Sequence, residues 1–174
     1  PYDTWPDDIT VNMPVDSSGK FSVLSGNIVA DPIFSLKAGG IDCRHWHRGF
    51  PIQNLDDRCH QSVSSNMGDT SGKIEVNAFL WNGEPDVDAV CRIVAGPMNA
   101  IFSQRKDHVV VKQGTFSPFN TQNTVFSRQA LSCFCLFPDI GRLDDIWASY
   151  ILQRVLWDFS GSHVAFGNAT VFQD

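Results

Sequence analysis

The segment that most constrains this fold is residues 143–159, where apolar side chains recur at helical spacing on most sides. They are Leu143, Ile146, Trp147, Tyr150, Ile151, Val155, Leu156 and Phe159. Because a helix that is apolar on most sides must be covered by other parts of the chain, the pattern predicts a largely buried helix in a folded domain. Asp144 or Asp145 is expected to cap its N-terminus, where a carboxylate pairs with free N–H groups and the positive end of the helix dipole.

Short runs of β-branched and aromatic residues predict the strands around this helix. They cover residues 21–30, 73–81, 108–112, 123–127 and 163–173, and the second run alternates apolar and polar residues. The spacing in residues 86–94 predicts a short helix whose apolar positions are Val87, Val90, Cys91 and Val94. Residues 1–20 are expected to form an extended segment, and residues 37–72 long irregular connections. Strands interleaved with helices indicate an α/β fold, with one domain or a large part of one over residues 1–174 and its core over residues 21–174.

The composition and net charge of the chain limit which classes of partner it is expected to bind. Hydrophobic residues make up 43% of the 174 positions, which is typical of a folded domain. Lys and Arg total 13 against 19 Asp and Glu, so the net charge is −6. With no run of basic residues, nucleic acid is not an expected partner. No apolar stretch approaches the roughly 20 residues of a membrane span.

Cysteine usage points away from a disulfide scaffold or a zinc site. The five cysteines are Cys43, Cys59, Cys91, Cys133 and Cys135, too few to staple a chain of this length. Cys133 and Cys135 have one residue between them and lie in an apolar run. This spacing favours buried small hydrophobic side chains over metal ligands.

Three polar residues, Asp145, Ser149 and Gln153, recur every four positions and form a narrow stripe on the apolar helix. In one interpretation, Asp145 caps the helix and the stripe is a satisfied hydrogen-bond ladder. In the other, the carboxylate at the helix start lies beside a cleft and takes a proton from a sugar hydroxyl as general base. The sequence leaves both open.

An acidic pair, Asp86 and Asp88, has the spacing that can hold two oxygen ligands around Mg²⁺ or Mn²⁺. Pro85 precedes the pair and a predicted helix follows it. A helix cap at Asp86 is therefore an equally simple explanation.

The predicted loop 45–51 concentrates imidazole, indole and guanidinium groups. Trp46 can stack on a sugar ring or a base, and Arg48 can bind phosphate oxygens in a bidentate manner. Alternatively, the aromatic side chains fill a core and Arg48 caps carbonyl groups. His45 and His47, only two residues apart, lack the spacing of a zinc site. No nucleophile elbow, phosphate-binding loop or dinucleotide fingerprint occurs, so hydrolase and dinucleotide functions lose support.

Four strings in order resemble a glycosyltransferase-like family that includes the plant STELLO proteins and, more distantly, the reversibly glycosylated polypeptides or UDP-arabinopyranose mutases. The strings are RGFPI at residues 48–52, WNGEPDVDAVCR at 81–92, PFNTQNTVF at 118–126 and GRLDDIW at 141–147. The last string is the most specific, and the resemblance runs from about residue 45 to the end of the chain.

This resemblance implies a GT-A-like mixed sheet flanked by helices, of which this chain is the C-terminal, acceptor-side part. It implies an enzyme that transfers a sugar from a nucleotide-sugar donor to a carbohydrate or protein acceptor. Asp145 would be the catalytic base, with Asp144 competing for the role. The implied substrate contacts are Arg48, Trp46, His47, Asn123, Gln153 and Trp147.

The resemblance also implies a divalent cation, Mn²⁺ or Mg²⁺, held by Asp86 and Asp88 or mainly by residues outside this chain. A Golgi or secretory setting is expected, and a partner enzyme or a missing N-terminal half would complete the donor site. The alternative function is a catalytically inactive glycosyltransferase-like module that binds carbohydrate or a partner enzyme.

Overall fold

A computed structural model describes residues 11–12, 21–36, 38–39, 44–66, 72–102 and 108–173. Its strands are β1 (Val11–Asn12), β2 (Phe21–Ser25), β3 (Ala38–Gly39), β4 (Ser62–Asn66), β5 (Lys73–Gly83), β6 (Ile101–Phe102), β7 (Val109–Val111), β8 (Thr124–Phe126) and β9 (Ser162–Gln173). Its helices are α1 (Pro32–Leu36), α2 (Ala89–Ala95), α3 (Arg128–Cys133) and α4 (Asp144–Leu156). Short 3₁₀ helices span Ile52–Asn54, Asp56–His60 and Pro138–Leu143.

The long strands β5 and β9 run parallel and form the centre of a mixed sheet. Within the described ranges, the strand order is β1-β5-β9-β7-β2-β4, and β8 pairs with β5 further along the edge that β1 occupies. Strands β2 and β7 are also parallel, whereas β7 and β9 are antiparallel. Strands β3 and β6 form a separate antiparallel pair. The predicted α/β class with a mixed sheet is therefore confirmed.

The main core lies between the sheet and α4, because alternate strand residues meet the helix side chains that recur every three or four positions. Val76 and Ala78 of β5 share this buried cluster with Leu152 and Leu156 of α4. A second, smaller hydrophobic cluster consists of Phe21, Val23, Ile74, Val110 and Ala165. This packing fixes α4, and with it the polar stripe, against the sheet.

Several element predictions are confirmed within a few residues, namely those for β5, β7, β8, β9, α2 and α4. The predicted strand over residues 21–30 ends at Ser25, and a helix that was not predicted, α1, begins at Pro32. Asp31 explains this helix, because its Oδ1 accepts hydrogen bonds from the N–H groups of Ile33 and Phe34. Strand β4 and two 3₁₀ helices lie within residues that were expected to be irregular.

The burial predictions need correction at two places. In α4, Trp147 is 52% exposed and Ile151 is also exposed, so this helix is apolar toward solvent as well as toward the core. Cys135 is exposed and Cys133 is half-buried, so the prediction that this pair is buried was wrong.

Most of the predicted extended segment 1–20 lies outside the described residues, as does Cys43. Its described part, β1, pairs antiparallel with the start of β5. Among the helices of the described ranges, none has both the length and the apolar character needed to cross a bilayer.

Candidate functional site

The polar stripe of α4 binds an extended segment, residues 117–121, through backbone N–H groups. Ser117 N donates to Gln153 Oε1 at 2.8 Å, Phe119 N to Ser149 Oγ at 3.5 Å and Thr121 N to Asp145 Oδ2 at 3.3 Å. The spacing matches because four helical residues rise about 6 Å and two extended residues about 6.6 Å. The stripe is therefore a satisfied hydrogen-bond ladder, as the first of the two interpretations predicted. The predicted cap was wrong, because the N-cap of α4 is Leu143, without a side-chain hydrogen bond, and Asp144 and Asp145 lie in the first turn.

Arg48 joins residues of the two acidic motifs, Asp86 and Asp145, in one ionic cluster. Its Nε donates to Asp86 Oδ2 at 2.6 Å, and its Nη2 donates to Asp145 Oδ2 at 3.1 Å. Its Nη1 donates to the carbonyl oxygen of Arg142 at 2.5 Å. Burial lowers the pKa of Arg48. The hydrogen bonds and the negative charges of Asp86 and Asp145 outweigh this effect, so the pKa of Arg48 lies above its ordinary value. Asn120 Nδ2 also donates to Asp86 Oδ2, at 2.8 Å.

Backbone pairing brings Arg48 to Asp86. Arg48 N donates to the carbonyl of Asp86 at 2.9 Å, and Asp88 N donates to the carbonyl of Trp46 at 3.2 Å. These bonds flank a bridge between His47 and Val87. The loop thus runs antiparallel to the segment that enters α2, which directs the guanidinium toward the N-terminus of α4.

Beside this cluster lies an open apolar hollow of about 390 Å³, which we call the α4 hollow. Gly49, Leu143, Ile146, Trp147, Tyr150 and Ile151 line it. The Tyr150 hydroxyl donates to the carbonyl of Gly49 at 2.9 Å and ties the loop to the helix. Burial raises the pKa of Tyr150, so this phenol stays protonated.

The two acids at the start of α4 have different surroundings. Asp145 is 8% exposed, and its carboxylate accepts hydrogen bonds from Arg48, Thr121 and the N–H of Ile146. Asp144 is half-buried, and its Oδ1 accepts from the N–H of Asp145 at 2.8 Å. Neither lines the α4 hollow, although Leu143 and Ile146 on either side do.

Asp86 and Asp88 do not form a ready ligand pair for Mn²⁺ or Mg²⁺. Asp86 is bound to the Arg48 guanidinium and the Asn120 amide, and a divalent ion would have to displace both. Asp88 Oδ1 accepts from Val90 N at 2.9 Å and caps α2, so the helix cap is Asp88 and not Asp86. No group of three or more His, Cys, Asp or Glu side chains with metal-binding geometry occurs in the part of the chain that the structure describes.

The remaining predicted contacts divide between core and surface. Trp46 is buried in the main core, and His47 is buried with its pKa lowered, mainly by burial. Asn123 Nδ2 donates to the carbonyl of Leu80 at 3.1 Å and to Thr170 Oγ1 at 2.9 Å, where the pairing of β5 and β9 is irregular. Of the predicted aromatic contacts, Trp147 is the one that faces an open cavity.

A buried acid behind the loop, Asp31, was not predicted from the sequence. Asp31 Oδ1 accepts from the N–H of His47 at 3.3 Å, and Arg58 Nη1 lies 3.6 Å from Asp31 Oδ2. Burial raises the pKa of Asp31 to about 6, against the opposing effect of Arg58. The Asp31–Pro32 dipeptide is a helix-start signal that would have drawn attention to this residue.

Comparisons with known proteins agree with the motifs. The chain is 27% identical over 121 residues to the probable glycosyltransferase STELLO2 of Arabidopsis thaliana, an alignment that covers 67% of this chain and 16% of the relative. It is 26% identical over 121 residues to the probable glycosyltransferase STELLO1 of the same plant, covering 67% of this chain and 15% of that relative. No protein-family model matches the chain. The predicted resemblance to STELLO-type proteins is confirmed, and the chain spans about a sixth of the length of these curated relatives.

Proposed function

We propose that this chain is the acceptor-side part of a glycosyltransferase-like protein that transfers a sugar from a nucleotide-sugar donor to a carbohydrate or protein acceptor. The observation that carries the proposal is the α4 hollow, where the exposed ring of Trp147 follows two acidic residues at the start of a helix. The apolar lining suits the apolar face of a sugar ring, and the two acids are next in sequence to the lining residues Leu143 and Ile146. The relatives named as probable glycosyltransferases support the same reaction class.

The charges of the cluster favour a sugar over a phosphate as its ligand. Arg48 faces the two carboxylates of Asp86 and Asp145, so the three side chains together carry a charge of −1. Negative charge repels a diphosphate but stabilises a transition state with oxocarbenium character. The nucleotide would therefore bind elsewhere in the whole protein, and Arg48 would contact sugar hydroxyl groups.

Asp144 and Asp145 differ in the hydrogen bonds they accept, and this difference indicates different roles. A general base needs an oxygen that can receive the proton of the acceptor hydroxyl. Asp145 already accepts three hydrogen bonds, so we assign it the positioning of Arg48. Asp144 Oδ2 has no hydrogen-bond partner among the described residues, so we assign Asp144 the base role in place of Asp145.

Two isosteric variants test this division in a transfer assay that uses the whole protein, including its nucleotide site. Asp144→Asn should lower nucleotide release from UDP-sugars by at least about 100-fold without changing Tm. Asp145→Asn should lower Tm because it removes a charge from the Arg48 cluster. Asp139→Asn, at an exposed acid in the preceding 3₁₀ helix, is the matched control and should change neither quantity. Full transfer by Asp144→Asn would refute its role, and lost transfer with unchanged Tm in Asp145→Asn would return the base to Asp145.

A catalytically inactive module that binds carbohydrate is the second candidate. The engagement of Asp86, Asp88 and Asp145 by donors of the protein itself favours it. Calorimetry distinguishes the two candidates. Heat from UDP with Mn²⁺ in the whole protein supports the transferase, whereas sugar binding that Trp147→Ala abolishes, without any heat from UDP and Mn²⁺ in that protein, selects the inactive module.

A further inference from the structure

A second, polar hollow of about 330 Å³ lies where the parallel strands β5 and β9 begin. We call it the β5/β9 hollow. Its lining residues are Lys73, Glu75, Gln129, Asp158, Phe159, Ser160, Gly161 and Ser162. Several of these follow the C-terminus of α4, a helix of 13 residues and therefore about 20 Å long. The α4 hollow lies toward the other end of this helix, so the two cavities are separate.

A buried carboxylate opens into the β5/β9 hollow. Glu75 is 4% exposed, and its Oε2 accepts a hydrogen bond from the Ser127 hydroxyl. Among the described residues, no cation lies within ion-pair distance of Glu75, and its Oε1 has no hydrogen-bond partner. Buried carboxylates are normally met by several donors, so Glu75 retains an acceptor for a donor that enters the hollow.

The charge balance of the hollow indicates the class of that ligand. Lys73 offsets Glu75, and Asp158 Oδ1 is paired with Arg154 Nη1 at 3.0 Å. A hollow without net charge selects neither an anion such as phosphate nor a divalent cation. The hydroxyl and amide groups of Ser160 and Gln129 can donate and accept hydrogen bonds with a neutral, hydroxyl-rich ligand.

An aromatic ring completes the site. Phe159 lines the hollow and is 39% exposed, so its ring is available to the apolar face of a sugar. An aromatic face next to a carboxylate, an amide and hydroxyl groups matches both sides of a pyranose ring. We infer that the β5/β9 hollow binds one neutral sugar unit, as a carbohydrate site separate from the α4 hollow. This inference does not depend on transfer at α4.

Nuclear magnetic resonance on the full, isotope-labelled chain of 174 residues can test both hollows separately. D-glucose, D-galactose and D-mannose are titrated one at a time. We expect at least one sugar to shift the amide signals of Gly161 and Ser162. The amide signal of Gly49 and the indole signal of Trp147 report on the α4 hollow. If the proposed function fails, these two signals stay unshifted, whereas the signals of Gly161 and Ser162 test the β5/β9 hollow by itself.

Variants then show which side chains hold the sugar. Phe159→Ala and Glu75→Gln should each weaken the shifts at Gly161 by about tenfold or more in apparent affinity. Trp147→Ala is the matched aromatic control and should leave them unchanged. Phe159 lies on the surface, so its variant keeps the test available if Glu75→Gln fails to fold. No shift at Gly161 and Ser162 with any of the three sugars, an unchanged affinity in Phe159→Ala, or shifts with inorganic phosphate or Mn²⁺ alone would each overturn the inference.

Discussion

At the scale of single residues, Asp31 combines complete burial with a raised pKa. Its carboxylate is fully buried, starts helix α1 and accepts the N–H of His47 behind the Arg48 loop. Burial raises its pKa from 3.8 to about 6, although Arg58 opposes this shift. The folded protein therefore holds a proton on Asp31 at pH values where the unfolded chain has released it.

This difference predicts a pH dependence of stability. Between pH 4 and 6 the folded state binds more protons at Asp31 than the unfolded state, so its contribution to stability is present below pH 4 and is lost as the pH rises through 6. The loss is on the order of 3 kcal/mol. Urea unfolding gives the free energy of unfolding of the wild type and of Asp31→Asn at several pH values. The difference between the two proteins isolates the effect of Asp31, because other groups such as His47 titrate in both. A stability difference that stays constant from pH 4 to 7 would contradict it.

Gly49 makes a second residue-scale prediction. Its φ is +86°, and an added Cβ would overlap Cγ2 of Ile146 at the edge of the α4 hollow. Gly49→Ala should therefore lower the free energy of unfolding by roughly 3 kcal/mol, from backbone strain and overpacking together. Gly114→Ala is the matched control, with φ +88° but open space around the new Cβ, and should cost about 1 kcal/mol. Equal losses in chemical denaturation would mean that the approach of Gly49 to Ile146 is unimportant.

At the scale of elements, the α4 stripe fixes an extended segment to a helix. Gln153 is 1% exposed, accepts the N–H of Ser117 and donates to the carbonyl of Ser149. Gln153→Met keeps a similar volume but leaves the Ser117 N–H buried without an acceptor, which should cost about 2 kcal/mol. Gln122→Met at an exposed position of the same connection should change stability by less than about 0.5 kcal/mol. Thermal unfolding measures both, and similar Tm values for the two variants would show that the ladder does not stabilise the fold.

The same elements show what local sequence patterns can predict. Helix α4 and strand β5 have strong 3.6- and 2-residue periods, and both form where these periods predict them. The four-residue stripe was evident too, but its partner is the distant segment 117–121, which has no period of its own. The exposure of Trp147 was not predicted, because a helical period cannot show which apolar face the rest of the chain covers.

At the scale of the whole molecule, the Arg48 cluster connects three distant parts of the chain. Asp86 is 38 residues from Arg48 in sequence, and Asp145 is 97 residues from it. From the sequence the three residues had separate predicted roles, with Arg48 as a phosphate or sugar contact, Asp86 as a metal ligand and Asp145 as a base. Their meeting depends on the backbone pairing of residues 46–48 with residues 86–88 and on the docking of α4, neither of which leaves a local signal near Arg48.

This arrangement predicts strong coupling among the three residues. Arg48→Met leaves two partly buried carboxylates without their cation and should cost about 3 kcal/mol in chemical denaturation. Adding Asp86→Asn to Arg48→Met removes one of these carboxylates, so the double variant should lose at least about 1 kcal/mol less than the sum of the two single losses. Arg154→Met, which breaks the exposed pair with Asp158, is the matched control and should cost less than about 0.5 kcal/mol. Additive losses, or an Arg48→Met variant as stable as Arg154→Met, would mean that the cluster does not hold the site together. The loop would then owe its position to backbone pairing and packing alone.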